Sequence, residues 1–525
     1  MKEHVLLIYP SCEKDNPNMD SDFAEGWRNI PIGILSIGTF IKQKGYDVDI
    51  VDCRRYSKSE TISVISSKIK KETICVGLSM MTMQISHGLV LIDFIKSKYN
   101  IPVVVGGIHA TLFSTQTIQE KKVDYVISGE GEFAFLSLLN YLTNNTKPSK
   151  DKRFLKKSNA DHKLLDNISG LSYKIENKIF ENKVGTPLDV SVLPFPDYDL
   201  LDNIEMYIKR KFMRSDGSYF NTRTLDIHTS RGCPYQCTFC INTLACFKKW
   251  RSKKIEDILN YIDHIVLKYK IDFLWFMDDF FFGDIKRVRV IAQHLIDKKY
   301  SLKWEATIRA NLFNPKLVND DVLFLMKKSG CYSLGFGFES GSERILKKIH
   351  KAITINEIIY SVEQCKKYNI MPRGSFMCGF PTETKDEVKA TGRLVLKLKS
   401  IYPKGIFYSP GLLRPYPGAE LYKECLLYGF LEPKTLREWS TKNFNFGLYM
   451  SAKDLKWIKY PNWIRNYQVY LHLAALRLSA KLLKTSQSIP YKLFGEISLF
   501  RIKHDLFLLP IEPTVLIFFN NLSRK

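Results

Sequence analysis

The chain has 525 residues, too many for one hydrophobic core, and its 45% hydrophobic and 25% charged residues are ordinary for a globular protein of two or three domains. The 11 cysteines are irregularly spaced, Met1-Lys2-Glu3-His4-Val5 is no secretory signal, and no apolar run is long enough to span a bilayer, so a reducing cytoplasm is expected. The net charge of +24 favours an anionic contact (nucleic acid, a membrane surface or an acidic protein), yet the lysines are spread along the chain as on a solvated surface.

Residues 1–145 alternate between strand and helix patterns. His4-Val5-Leu6-Leu7-Ile8-Tyr9 is a short apolar run, as a buried parallel strand requires. Pro31 opens a helical pattern through Ile34, Leu35, Ile37, Phe40 and Ile41, and Gly45 stops it. Residues 48–52, 74–79, 103–107 and 124–128 read as further strands, with a helix over 85–99. The alternation predicts a doubly wound, Rossmann-like parallel sheet whose ligands bind at the carboxyl ends of its strands. Gly106-Gly107-Ile108-His109-Ala110-Thr111 and Gly129-Glu130-Gly131-Glu132 follow two of those strands. Glycines there either admit a ligand close to the backbone or serve plain strand-to-helix turns.

Residues 146–222 form a polar linker. It contains a hairpin pattern around Glu176-Asn177-Lys178 and a rigid lead-in, Leu193-Pro194-Phe195-Pro196. No chemistry attaches to it.

Residues 224–229 alternate as a strand and empty into Ser230-Arg231-Gly232-Cys233-Pro234-Tyr235-Gln236-Cys237-Thr238-Phe239-Cys240. Three thiolates this close repel one another unless a metal neutralises them. A cubane iron–sulfur cluster takes four ligands, so three cysteines leave one iron open. The alternative is a closed zinc site with Cys246 as fourth donor, although Cys246 lacks the paired Cys-x-x-Cys half that zinc loops usually have.

This loop resembles the signature of the radical S-adenosylmethionine enzymes. The resemblance implies that Cys233, Cys237 and Cys240 hold a 4Fe-4S cluster and that S-adenosylmethionine chelates the open iron. It also places Phe239 near the adenine. Reduction then splits the sulfonium to an adenosyl radical that takes a hydrogen atom from substrate. Standing before such a loop, the first domain resembles the cobalamin-binding domain of cobalamin-dependent members. The resemblance rests on Pro31-Ile32-Gly33-Ile34-Leu35, Gly77-Leu78-Ser79-Met80-Met81-Thr82 and the two glycine loops. It implies cobalamin contacts from Ser79, Thr82, Gly106, Gly107, His109, Gly129, Glu130 and Gly131. The Asp-x-His-x-x-Gly motif that gives cobalt a histidine in the mutases is absent, the first loop reading Ser11-Cys12-Glu13-Lys14-Asp15-Asn16. The departure implies cobalt without a protein imidazole, or a domain that has lost cobalamin.

From 223 to 430 strand and helix alternate again, and the resemblance implies a partial (β/α)6 TIM-type barrel with its chemistry at the carboxyl mouth. A buried strand over 273–277 ends in Asp278-Asp279, and the resemblance puts Asp278 near the methionine part of S-adenosylmethionine. Thr307-Ile308-Arg309-Ala310-Asn311 follows the third strand. Glu339, on a glycine-flanked strand, either accepts from ribose hydroxyls or caps the helix beginning at Glu343. Gly379-Phe380-Pro381-Thr382-Glu383-Thr384 and the stretch from Pro415 resemble the fifth and sixth strand ends.

The region 431–525 reads as a helical C-terminal extension, rich in aromatics and basic residues. Trp457, Trp463 and Tyr467 with Lys453, Lys456, Lys459 and Arg465 suit either a peripheral helix at the inner membrane face or a lid over the barrel, and Ile511-Glu512-Pro513 forbids a span. The whole implies a radical enzyme that methylates an unreactive carbon of a small or lipid-like substrate, with electrons from a flavodoxin or ferredoxin. The rivals are a cyclase of the anaerobic magnesium-protoporphyrin type, a tRNA methylthiotransferase and a cobalamin sensor or carrier. The second needs three more cysteines in motifs that Cys12, Cys53 and Cys75 do not supply, and the third leaves the cysteine loop without a purpose.

Overall fold

Short apolar runs separated by helices zip into parallel sheets because each strand must bury both faces. The computed structural model describes residues 2–12, 29–146, 164–176, 178–213, 218–242, 248–441, 452–480 and 488–507. They fall into two units, Met1–Tyr207 with Glu432–Met450, and Ile208–Leu431 with Ser451–Lys525.

The first unit carries a seven-stranded sheet in the order β2-β1-β3-β4-β5-β6-β7. Its strands are β1 (His4–Tyr9), β2 (Asp47–Asp52), β3 (Thr73–Ser79), β4 (Val103–Gly106), β5 (Tyr125–Ile127), β6 (Leu171–Ile175) and β7 (Lys178–Glu181). β1 to β5 pair in parallel, which is the doubly wound sheet the sequence predicts, while β5–β6 and β6–β7 are antiparallel. The hairpin expected in the linker is therefore the edge of this sheet. The helix Ile32–Gln43 starts after Pro31, and Gly45 at φ +101° turns the chain after it. One core cluster of this unit packs Leu6, Ile8, Val76, Leu78, Val105 and Val126, all at 2% exposure or less.

A stretch distant in sequence completes this unit. The short helix Leu436–Trp439 buries Leu436 and Trp439. Trp439 donates its indole N–H to Gln116 Oε1 at 2.9 Å, and Arg437 grips Glu120 with two bonds of 2.8 Å. The sequence treats everything after 430 as one helical region; the structure divides it, because a one-turn helix has no period to betray its partner.

The second unit is an eight-stranded sheet, whose main path runs β16-β15-β14-β13-β12-β9-β8. The strands are β8 (Lys209–Met213), β9 (Tyr219–Ile227), β12 (Phe273–Phe276), β13 (Lys303–Ile308), β14 (Cys331–Glu339), β15 (Met371–Cys378) and β16 (Ile406–Phe407). β10 (Ser230–Arg231) and β11 (Arg251–Ser252) form a separate antiparallel clasp, and β17 (Gly411–Leu412) extends β15. β9 and β12 through β16 are parallel neighbours, joined by helices such as Ile255–Tyr269 and Lys385–Ile401, so the barrel is open-sided as expected.

The tail corrects one expectation. Tyr467, Tyr470 and Leu471 are at 1% exposure or less, and Trp457 donates to the Gly379 carbonyl at 2.8 Å. Trp463 stacks on Tyr467 with centroids 5.0 Å apart. Rings expected to sit among acyl chains pack on the barrel and on each other, which favours the lid reading, while Lys453, Lys456, Lys459 and Arg465 stay exposed. No helix among the described residues is long and apolar enough to cross a membrane; Ile511, Glu512 and Pro513 lie outside those residues.

Candidate functional site

The cysteine loop leaves β9, and four tethers hold it. β10 pairs with β11, so Ser230 faces Ser252 across the loop's base. The Gly232 N–H, at φ +88°, donates to Asp279 Oδ2 at 2.9 Å. The Thr238 N–H donates to the Ile349 carbonyl at 3.0 Å, and the Leu421 N–H donates to the Thr238 carbonyl at 2.8 Å. Asp278 and Asp279, at the end of β12, thus fix this loop from below. Asp278 Oδ1 accepts from the Thr229 N–H (3.1 Å), the Thr229 hydroxyl (2.9 Å) and the Ser230 hydroxyl. Its Oδ2 is buried without a partner among the described residues. The carboxylate expected near methionine is first of all an anchor for residues 229–230.

Cys233, Cys237 and Cys240 carry free thiols, with Cys237 at 6% exposure and the Cys240 N–H on the Cys237 carbonyl at 3.0 Å. Burial raises the thiol pKa of Cys233 and of Cys240, and the proximity of Cys237 raises each further. Such thiols ionise only against a cation, which is the chemistry of a metal ligand. Among the described residues no three His, Cys, Asp or Glu side chains converge as the ligands of one ion do. A cubane does not ask for that, since each cysteine binds a different iron. The residues fit the cluster. Cys246, the proposed fourth zinc donor, lies outside the described residues.

Phe239 is half-buried, with the Lys351 ammonium 5.7 Å from its ring centre. Glu339 ends β14 at φ +65°, and its Oε1 accepts from Lys351 Nζ at 2.8 Å with both side chains nearly buried. It does not cap the next helix. Ser342 does, accepting from the Ile345 N–H. Sequence reasoning missed Lys351, twelve residues downstream, and gave Arg309 no role. That guanidinium lies 3.6 Å from the centre of the Tyr235 ring and donates to Cys237 Sγ at 3.5 Å. Its one legible signal was a cation at the carboxyl end of a barrel strand.

In the first unit the expected cobalamin residues gather at the ends of β3, β4 and β5. The Thr82 hydroxyl meets His109 Nδ1 at 3.1 Å, and the His109 N–H donates to the Met80 carbonyl at 3.2 Å. Burial lowers the His109 pKa to about 3, so the imidazole is neutral. Phe113 and Trp439 wall it, at 5.2 and 5.5 Å between centroids, and its Nε2 is buried with no partner among the described residues. Gly107 has φ +94°, and a Cβ there would lie 2.7 Å from the Met80 backbone nitrogen and oxygen. Gly129 has φ +85° and donates to the Thr111 hydroxyl at 3.0 Å; Glu130 accepts from the Leu188 N–H at 2.8 Å. A Cβ on Gly131 would press on Ile37 at 3.0 Å, so that glycine serves helix packing. Ser79 is half-buried at the end of β3. An orphaned imidazole nitrogen beside glycine backbone at strand ends fits a ligand with many amide groups, as cobalamin is. His87, the other candidate imidazole, accepts from the Ser11 N–H and pairs with the Ser11 hydroxyl through Nδ1, at 3.0 and 2.7 Å.

Comparison with known proteins finds a family for each of the two regions. Residues 227–395 match the radical SAM superfamily, and residues 28–139 match the B12 binding domain. The chain is 31% identical over 442 residues to the uncharacterized methyltransferase PH0819 of Pyrococcus horikoshii, covering 83% of this chain and 86% of that protein. It is 24% identical over 487 residues to the cytidylyl-2-hydroxyethylphosphonate methyltransferase of Streptomyces wedmorensis, covering 82% and 83%. Among solved structures, the cobalamin-dependent S-adenosylmethionine radical enzyme OxsB with aqua-cobalamin bound superposes with a TM-score of 0.72 at 17% identity, covering 99% of this chain and 75% of that one. That likeness speaks for the fold.

Proposed function

We infer that this chain, which belongs to the radical S-adenosylmethionine enzymes carrying a B12-binding domain, is a cobalamin-dependent methyltransferase acting on an unreactive carbon. The observation that carries the reading is that both methyltransferase relatives match across more than four-fifths of the chain, through both units. When bound, the cluster supplies the electron that splits S-adenosylmethionine and cobalamin supplies the methyl group.

The chain's own residues prepare those steps. Cys233, Cys237 and Cys240 would hold the cluster, on a loop that Asp278 and Asp279 tether before anything binds. Phe239 and Glu339 would hold S-adenosylmethionine. With Oε1 held by Lys351, Glu339 keeps its other oxygen for a ribose hydroxyl. Ser79, Thr82, Gly106, Gly107, His109, Gly129 and Glu130 would hold cobalamin through backbone groups and polar side chains. Electrons come from a one-electron carrier of the flavodoxin or ferredoxin kind, and the substrate is a small or lipid-like molecule rather than a nucleic acid. The exposed Lys453, Lys456, Lys459 and Arg465 support contact with an anionic surface without the aromatic insertion expected of the tail.

The test is product stoichiometry. Reconstituted protein with cobalamin, reductant and methyl-labelled S-adenosylmethionine is incubated with a metabolite extract from a deletion strain. A labelled product, formed with one S-adenosylhomocysteine per methyl group, is expected. A new ring or oxygenated product without S-adenosylhomocysteine would move the enzyme to the cyclase type.

A further inference from the structure

A buried cation needs an anion, and Arg309 has no carboxylate. It follows β13 at 8% exposure. Its Nη1 donates to Cys237 Sγ at 3.5 Å, its Nη2 donates to the Lys351 carbonyl, and its Nε is buried without a partner. Among the described residues no Asp or Glu pairs with it. Lys351, the neighbouring cation, is already neutralised by Glu339 at 2.8 Å. Leaving a guanidinium in such a place uncompensated costs several kcal/mol. The group of potential negative charge within its hydrogen-bond reach is the Cys237 sulfur.

The guanidinium is also held in place. It lies over the Tyr235 ring, 3.6 Å from its centre, and Phe280 meets that ring edge-on at 5.3 Å. Tyr235 stands between Cys233 and Cys237 in sequence, so the loop that carries the sulfurs also carries the platform for the cation. Arg309 acts electrostatically on Cys233 as well, lowering the pKa that burial raises.

We propose that Arg309 is a positioning residue that sets the reduction potential of the cluster, with Tyr235 as the platform that aims it. This rests on the reading of Cys233, Cys237 and Cys240 as cluster ligands. One-electron reduction, with the electron drawn from the external carrier, adds one negative charge to the thiolate-bound cluster and breaks no bond. Net charge and hydrogen bonds to sulfur are among the levers that set such potentials. A fixed positive charge with an N–H on Cys237 Sγ favours the reduced form and makes the cluster easier to charge with an electron.

The experiment is mediated redox titration of the reconstituted full chain without substrate, read by electron paramagnetic resonance of the reduced cluster, after iron content has been measured. Arg309→Gln removes the charge; Arg309→Lys keeps it without the planar fork; Tyr235→Leu keeps the guanidinium and removes its platform. At a fixed poise the reduced-to-oxidised ratio should fall about tenfold in Arg309→Gln, about 59 mV for a one-electron couple. It should stay within about threefold of the parent in Arg309→Lys, with Tyr235→Leu between. A merely structural arginine would lower iron content but leave the midpoint of the surviving cluster in place. An unchanged midpoint in Arg309→Gln at full iron content overturns the proposal. Should that variant not hold iron, an unchanged midpoint in Tyr235→Leu overturns it equally. A parent chain that binds no iron would take down the cluster reading with it.

Discussion

The two cradles are built from different parts of the amino acid. In the second unit the work falls on side chains: three thiols, two aspartates beneath them and two cations beside them. In the first unit it falls largely on backbone, with glycines at φ +94° and +85° and one imidazole whose Nε2 has no partner among the described residues. A small inorganic cluster has to be held by donor atoms, which means particular side chains. A large organic cofactor can be held by shape and peptide groups, which many sequences supply. Side-chain chemistry fails by deletion; backbone chemistry fails by adding an atom.

That contrast predicts the largest effect at the sulfurs. Changing Cys233, Cys237 and Cys240 together to Ala should abolish iron content and the broad visible absorption of the reconstituted protein. Cobalamin binding should be untouched. Changing Cys246 alone should leave the absorption intact. Indispensability of Cys246 together with copurified zinc would return the loop to a structural metal site.

The mirror experiment adds a methyl group to the first unit. Gly107→Ala must both hold φ near +94° and find room 2.7 Å from the Met80 backbone, which cannot move away as a side-chain tip would. Strain of this kind is worth about 1–3 kcal/mol. Cobalamin affinity, measured by absorbance titration, should therefore drop about tenfold or more while iron content stays at the parental level. Equal affinity would show that the cofactor does not depend on this turn.

The same contrast explains what the sequence could and could not disclose. Strands and helices were legible because their periods are local, and Cys233-x-x-x-Cys237-x-x-Cys240 because its donors lie within one loop. Arg309 was not, since its contact with Cys237 depends on how β13 sets beside its neighbours across the sheet. Glu339 reads as a ribose ligand or a cap until Ser342 is seen capping the helix and Lys351 is seen on the carboxylate. Trp457 and Tyr467 have the composition of a membrane anchor, and only Gly379 and Gly392, far upstream, reveal that a carbonyl and a bare helix face were waiting for them. Composition names what a surface can meet. It does not name what it meets.

The smallest effect concerns a strand end where the chain fills its own backbone cradle. Gly379, at φ +84°, turns the chain after β15, and its N–H and that of Phe380 both donate to Glu383 Oε2, at 2.6 and 3.2 Å. Oε1 is buried without a partner. Burial raises the Glu383 pKa from 4.5 to about 8, outweighing the two N–H bonds; Glu387 pushes the same way and Arg344 opposes it. The sign follows from linkage. Below pH 4.5 the carboxyl is protonated in both folded and unfolded chains, and stability is full. Between 4.5 and about 8 the unfolded chain ionises while the folded one resists, so stability falls as pH rises; above 8 the loss levels off. Glu383→Gln cannot ionise, and its carbonyl can still take both N–H groups. Any penalty for its amide is the same at every pH, so the slope is what matters. The barrel's thermal midpoint should lose less in the variant than in the parent between pH 5 and 9, a difference equivalent to about 1–3 kcal/mol. Parallel curves would mean that Glu383 is ionised in the fold at neutral pH, and that the turn's N–H groups hold a charge after all.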